Sequence, residues 1–242
     1  DATGDAIVLY GDTPFIRPET LEAMLAARSA HAVVVLGFHA ANPGRYGRLL
    51  TQGNDLLAIR EFKDATDEER LITLCNSGVI CADAKTLFSL VADVGNTNAS
   101  GEYYLTDIVE LARARGLSAG VVICEEAETM GINTRTELAA AEAAFQARAR
   151  AEALDNGVTL TAPETVFFAL DTHIGRDAII GPNVLFGPGV TIESGAEIKG
   201  FCHLEGCHVS RGADVGPFAR LRPGAELAED VHVGNFVEIK NA

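Results

Sequence analysis

From Ile174 to Ile239, large apolar side chains return every sixth residue: Ile174, Ile180, Phe186, Ile192, Ile198 and Leu204. After one five-residue step the beat resumes at Val209, Val215, Leu221, Leu227, Val233 and Ile239. Four positions after most of them stands a small or β-branched residue, among them Ala178, Val190, Ala196, Cys202, Ala213 and Ala225. A six-residue period fits neither the 3.6-residue turn of a helix nor the two-residue alternation of a hairpin. It fits a parallel β-helix, in which each hexad makes one flat side and three hexads close a triangular coil. The pattern predicts about four coils beginning near Val166, with the large residues pointing inward. The step from Leu204 to Val209 predicts a corner shortened by one residue.

The first 130 or so residues follow other periods. Ala6 to Tyr10 is a short apolar strand running into Gly11-Asp12, and Pro18 opens a helical stretch from Glu19 to Ala30. Ala32 to Gly37 is continuously apolar, as in a strand covered on both faces. Gly47 to Gln52 and Asp55 to Phe62 pattern as a hairpin around Gly53-Asn54. Ser77 to Ala82 patterns as a strand, Thr106 to Arg115 as an amphipathic helix and Ala119 to Cys124 as a further strand. Alternating strands and helices imply a layered α/β fold with a parallel or mixed sheet.

Between the two regions, Thr134 and Glu137 form a capping-box pattern ahead of an Ala-, Glu- and Arg-rich stretch, and Asn156-Gly157 supplies a stop. This predicts a strut of about 30 Å. The expected divisions are an α/β domain over 1–134, a linker helix over 135–157 and a β-helix over 158–242.

Charge narrows the partners. A formal net charge of -15 argues against nucleic acid and anionic membrane, and no apolar run approaches the length of a membrane span. Phosphate ligands would need a metal ion or local basic groups to hold them. Five cysteines without a CxxC pair, Cys202 among them on an inward hexad position, point to buried free thiols in a reducing, cytoplasmic setting.

Several polar residues are placed to bind. Asp12 directly follows a strand, where ligands of α/β sheets gather. A carboxylate there can hold Mg²⁺ on phosphates, although a turn aspartate before Thr13-Pro14 would read the same. Asn133 precedes the capped helix, whose free N–H groups favour an anion; a simple capping role fits it equally. Gly47, in the loop from Asn42 to Arg48, permits close approach of a ligand. Tyr104 and Thr106 offer hydroxyls and Glu61 a carboxylate for a sugar. His173, His203, His208 and His232 each precede an inward position, but His203, His208 and His232 fall on three different sides of the prism, so one chain gathers no three of them on a metal. No GxSxG motif supports a nucleophilic triad.

The ordered motifs Leu9-Tyr10-Gly11-Asp12-Thr13-Pro14, Gly44-Arg45-Tyr46-Gly47-Arg48, Glu61-Phe62-Lys63-Asp64, Cys75-Asn76-Ser77-Gly78, Gly101-Glu102-Tyr103-Tyr104-Leu105-Thr106-Asp107 and Gly131-Ile132-Asn133-Thr134-Arg135 resemble one family. So do Gly216 to Gly224 and His232 to Lys240. The family is the bacterial bifunctional N-acetylglucosamine-1-phosphate uridylyltransferase and glucosamine-1-phosphate acetyltransferase.

The resemblance implies a Rossmann-like nucleotidyltransferase domain joined by the long helix to a left-handed β-helix, assembled as a homotrimer. It implies Asp12 and Asn133 as Mg²⁺ ligands. Tyr10, Gly11, Gly47, Glu61, Asn76 and Asn133 would contact UDP-N-acetylglucosamine, with Tyr104 and Thr106 lining the same sugar pocket. Arg222 and Lys240 would bind the sugar phosphate of the acetyltransferase site. UTP, N-acetylglucosamine 1-phosphate and acetyl-CoA are the implied substrates. The family's glycine-rich triphosphate loop and its acetyltransferase histidine have no counterpart here, so the chain reads as an internal fragment. Two alternatives remain: a non-catalytic trimeric scaffold that binds a sugar nucleotide, and a sugar-1-phosphate adenylyltransferase.

Overall fold

The structure, a computed structural model, describes residues 3–242. They form two compact units, one up to Glu137 and one from Leu138 to Ala242. No helix among the described residues is long and apolar enough to cross a membrane.

The first unit runs β1 (Asp5–Val8), α1 (Pro18–Ala27), β2 (Val33–His39), β3 (Arg48–Gln52), β4 (Asp55–Arg60), α2 (Asp67–Arg70), β5 (Leu74–Asp83), α3 (Ala84–Val91), α4 (Ile108–Ala114) and β6 (Ala119–Cys124). Its six-stranded sheet has the order β1-β5-β2-β6-β4-β3. The sheet is mixed: β2 pairs parallel with β6 but antiparallel with β5. The uninterrupted apolar run of β2 has a plain cause. Val33 and Val35 join one buried cluster with Leu87 and Leu90 of α3 and Ile108 and Val109 of α4. Val34 and Leu36 join a second with Met24 of α1. With both faces covered, no position from Val33 to Phe38 is free to be polar, and polarity returns only at the exposed His39. Two helices lay outside the sequence reading. Thr66 caps α2 through a reciprocal box with Glu69, and Asp83 caps α3 by accepting from the Thr86 amide at 3.0 Å.

Helix α5 (Arg135–Asp155) begins at the predicted capping box. The Glu137 amide donates to Thr134 Oγ1 at 3.1 Å, and Glu137 Oε2 accepts from the Thr134 amide at 2.8 Å.

The second unit is a parallel β-helix of two-residue strands on three faces. One face has five strands, from Thr159–Leu160 through Ile179–Ile180, Glu197–Ile198 and Asp214–Val215 to His232–Val233. The other two faces have four strands each. Stacking begins at Thr159, earlier than the expected Val166, because Thr159–Leu160 already pairs with Ile179–Ile180. Ile180, Ile192, Ile198, Leu204, Val209 and Val215 are fully enclosed. The inward rule weakens in the last described rung, where Val237 is exposed and Ile239 half-buried. Only Glu205, Gly206 and Cys207 separate the strands ending at Leu204 and starting at His208, which is the predicted short corner.

Phe145, Ala149 and Ala153 of α5 pack on the β-helix core. Between them the buried Gln146 amide bonds the Phe168 backbone both ways, at 2.8 and 2.9 Å, so this polar group is satisfied inside the core.

Candidate functional site

The first unit gathers most of the singled-out residues where β1 and β4 end and β3 and β5 begin. Gly47 sits just before β3 with its Cα against three neighbours: a Cβ there would lie 3.3 Å from Glu61 Oε1 and from Ile59 Cγ2, and 3.6 Å from Asn76 Cβ. Its carbonyl accepts from the Asn76 amide at 2.8 Å. Thr106 Oγ1, buried, donates to Glu61 Oε1 at 3.1 Å. Gly47, Glu61, Asn76 and Thr106 are therefore one connected group. Asn76 Oδ1 is engaged by the Gly78 amide at 3.0 Å, which fixes the orientation of the side chain.

Tyr10 completes this wall, and Gly78 is what lets it. Gly78 has φ +89°, and a Cβ there would lie 2.7 Å from Tyr10 Cδ2 and 2.9 Å from Cζ, inside the ring's van der Waals surface. The ring thus lies directly on bare backbone. Burial raises the Tyr10 hydroxyl above its ordinary pKa, and the Glu61 and Asp12 carboxylates push it the same way, which ties these three residues into one field. Burial also raises Glu61, with Asp107 and Asp64 adding to the shift against the Thr106 hydrogen bond. The loop that carries Thr106 is held to the Glu61 turn at two points. Lys63 Nζ donates to Ser100 Oγ at 2.8 Å, and the Ala99 amide donates to Asp64 Oδ1 at 2.9 Å.

Asp12 and Asn133, far apart in sequence, are brought side by side by the backbone. The Ile132 amide donates to the Asp12 carbonyl at 2.8 Å. Both side chains are exposed, as is Gly11. The Asn133 amide N–H is taken by Glu137 Oε2 at 2.7 Å, so the helix start binds its own carboxylate instead of an anion. Among the described residues, no three His, Cys, Asp or Glu side chains form a metal cluster. A carboxylate and an amide oxygen are nevertheless the hard donors Mg²⁺ takes when phosphates and water complete its shell, so the pair fits that ion.

Glu128 was not anticipated. It is buried and accepts from the Arg17 amide at 3.1 Å and Thr20 Oγ1 at 2.7 Å. It thereby caps α1 from the segment that leads into Asn133. No local spacing could have signalled a cap more than a hundred residues away. Tyr104, half-buried, precedes Thr106 by two residues; no side-chain hydrogen bond joins it to the group above.

In the second unit, Arg222 and Lys240 follow Leu221 and Ile239, which pair in parallel register on one face. They stand one coil apart, with Arg222 Nη1 3.2 Å from Glu238 Oε1. His203, His208 and His232 lie on three different faces. His208 pairs with Glu193 at 2.9 Å and His232 with Asp214 at 3.0 Å. The five cysteines are free, and burial pushes Cys124 and Cys207 up to about 11.

Comparison with known proteins finds likeness along the whole chain. The family described as bacterial transferase hexapeptide (six repeats) matches residues 171–206. The bifunctional protein GlmU of Cereibacter sphaeroides is 78% identical over 242 residues, which is 100% of this chain and 53% of that protein. The GlmU of a Ruegeria species is 70% identical over 239 residues, 99% of this chain and 53% of that protein. From end to end, this chain is GlmU-like. It spans about half the length of the GlmU relatives it matches, and the match to the Cereibacter protein includes every motif quoted above. A nucleoside-diphosphate-sugar pyrophosphorylase from Vibrio cholerae, at 13% identity and a TM-score of 0.43 over 58% of this chain and 56% of that one, is too distant to bear on the reading.

Proposed function

We propose that the first unit carries the acceptor-sugar half of a uridylyltransferase site. The observation that supports it most is the connected wall of Gly47, Glu61, Asn76 and Thr106, closed by the Tyr10 ring on Gly78. A bare glycine, a carboxylate, an amide and a hydroxyl in one connected group match the donors and acceptors of an N-acetylated sugar. Glu61 would accept from a sugar hydroxyl, Asn76 would donate its free amide hydrogens, and Gly47 would let the ring lie close.

In the reaction, a phosphate oxygen of N-acetylglucosamine 1-phosphate attacks the α-phosphorus of UTP. A new P–O bond forms, the bond to the bridging oxygen breaks, and pyrophosphate leaves with the electron pair. Proximity and orientation carry most of such a step, and this chain's residues supply them by fixing the sugar. Asp12 Oδ and the Asn133 amide oxygen would hold Mg²⁺, which when bound offsets charge on the phosphates. In the longer GlmU-type protein, Arg222 and Lys240 would hold a sugar phosphate for acetylation from acetyl-CoA. Trimerisation through the β-helix faces belongs to the same proposal.

Calorimetry with UDP-N-acetylglucosamine, with and without Mg²⁺, tests the site. A pyrophosphate-release assay with UTP and the sugar phosphate then separates catalyst from binder. Binding without turnover would favour a sugar-nucleotide-binding scaffold, turnover with ATP in place of UTP would favour an adenylyltransferase, and absence of both binding and turnover would refute the site.

A further inference from the structure

Arg48 is 1% exposed and the largest fully buried side chain among the described residues. Burying a guanidinium is costly unless it is paired or its hydrogen bonds are satisfied. Here the partners are backbone carbonyls. Nη2 donates to Gly44 O at 3.0 Å and Arg70 O at 3.3 Å, Nε to Arg70 O at 3.4 Å, and Nη1 to Pro43 O at 3.3 Å and to Tyr46 O. Three carbonyls of one short loop turn inward onto one side chain. An uncharged interior would fold β3 at less cost, so this buried charge requires a reason beyond packing.

The bonds themselves suggest the reason. Arg48 follows Gly47, whose Cα faces Glu61 and Asn76. On its other side Arg48 grips the Arg70 carbonyl, while the Arg70 guanidinium donates to Phe62 O at 3.3 Å through both Nε and Nη2. Phe62 follows Glu61, and its ring lies 4.8 Å from the Arg70 Cζ and 5.9 Å from the Arg48 Cζ. The sequence of ties is Gly47, Arg48, Arg70, Phe62, Glu61. Two residues of the proposed sugar wall are thus joined from behind by two arginines, only one of which is buried.

We infer that Arg48, acting through Arg70, is a positioning residue that sets the spacing between Gly47 and Glu61 and so the site's preference for the sugar part of its ligand. This rests on the sugar-nucleotide reading given above. Lysine is a poor replacement for Arg48, because one ammonium with three donors cannot serve the four carbonyls that the three guanidinium nitrogens reach.

The test compares UDP-N-acetylglucosamine with UDP, which lacks the sugar, by calorimetry on the full chain. The variants are Arg48→Lys and, because a buried site can fail to fold, the half-exposed Arg70→Lys. A displaced wall that weakens a hydrogen bond to the sugar loses affinity on the order of tenfold. The expected result is a loss of about that size for UDP-N-acetylglucosamine, with UDP affinity unchanged, in each variant that keeps its native circular dichroism. A merely structural role would lower both affinities together or neither, and either outcome in Arg70→Lys overturns the inference. If the wild-type chain itself does not prefer the sugar-bearing ligand, the functional reading falls and this inference with it. If the wild type prefers it and both variants do so equally, only the inference falls.

Discussion

Adding one methyl group at Gly78 is a sharp test of the site, because its two costs can be measured apart. The backbone there has φ +89°, and a side chain in left-handed backbone costs about 1–2 kcal/mol. The second cost falls on Tyr10, whose ring atoms Cδ2 and Cζ would lie 2.7 and 2.9 Å from the new Cβ. Carbon atoms rest about 3.5–4.0 Å apart, so the ring must leave its seat. Gly78→Ala should weaken UDP-N-acetylglucosamine binding about tenfold, or about 1.4 kcal/mol, and lower the stability of the first unit by at least the backbone cost. In a Tyr10→Ala background the same change should cost almost no affinity, since no ring remains to displace, while the backbone cost persists. Calorimetry and urea denaturation of the four proteins give both quantities as a double-mutant cycle. Equal affinity loss in both backgrounds would refute the seating argument, as would full affinity in a folded Gly78→Ala.

Other expectations concern the core, titration and the metal. Ile198→Ala, enclosed between Ile180 and Val215, should cost about 2–5 kcal/mol in denaturation, and the half-buried Ile239→Ala markedly less; equal costs would contradict the buried prism. Glu61 is raised by burial, so its contribution to stability is complete below the ordinary carboxylate range and is lost as pH climbs through the raised value. Glu61→Gln should therefore gain on wild type as pH rises through that window. Glu193 is lowered by the Arg211 amide and His208, so its contribution is present above the ordinary glutamate value and is lost as pH falls through the depressed one. Glu193→Gln should lose against wild type above that window, and urea midpoints across pH that move both variants the same way would contradict the assignment. Asp12→Ala should abolish any gain in nucleotide-sugar affinity from Mg²⁺ without lowering the melting temperature in metal-free buffer. A destabilised variant that keeps its Mg²⁺ response would make Asp12 a turn residue.

How far the sequence could be read depended on whether the cause was local. The β-helix was legible because each rung repeats the same demand on the same position, down to the short corner before His208. The capping box of α5 was legible because its two partners lie three residues apart. Arg48, Gln146 and Glu128 were not, because each is a buried polar group whose partners come from distant or irregular backbone. In the motif around Gly47, Arg48 looks like one more surface charge. The beginning of the prism was placed too late because Thr159–Leu160 lacks the preceding hexads that make the beat audible. The left-handed backbone at Phe201, Phe218 and Phe236 also had no signal, since a bulky aromatic is a poor residue for that conformation. Stacking accounts for it: the rings lie parallel at 5.0 and 5.1 Å, an arrangement available only once the coils are piled.

The short corner has a consequence for how the prism assembles. A solenoid of identical rungs has no intrinsic zero, and a nascent coil could settle one rung too high or too low with almost every apolar residue still inward. The missing residue between Leu204 and His208 breaks that degeneracy. His208 pairs with Thr191 on one side and Glu226 on the other, and only the true stacking matches the tight bend to the neighbours it was cut to fit. The corner therefore works as a registration mark. Restoring the lost residue would remove the feature that tells the chain where its own stack begins.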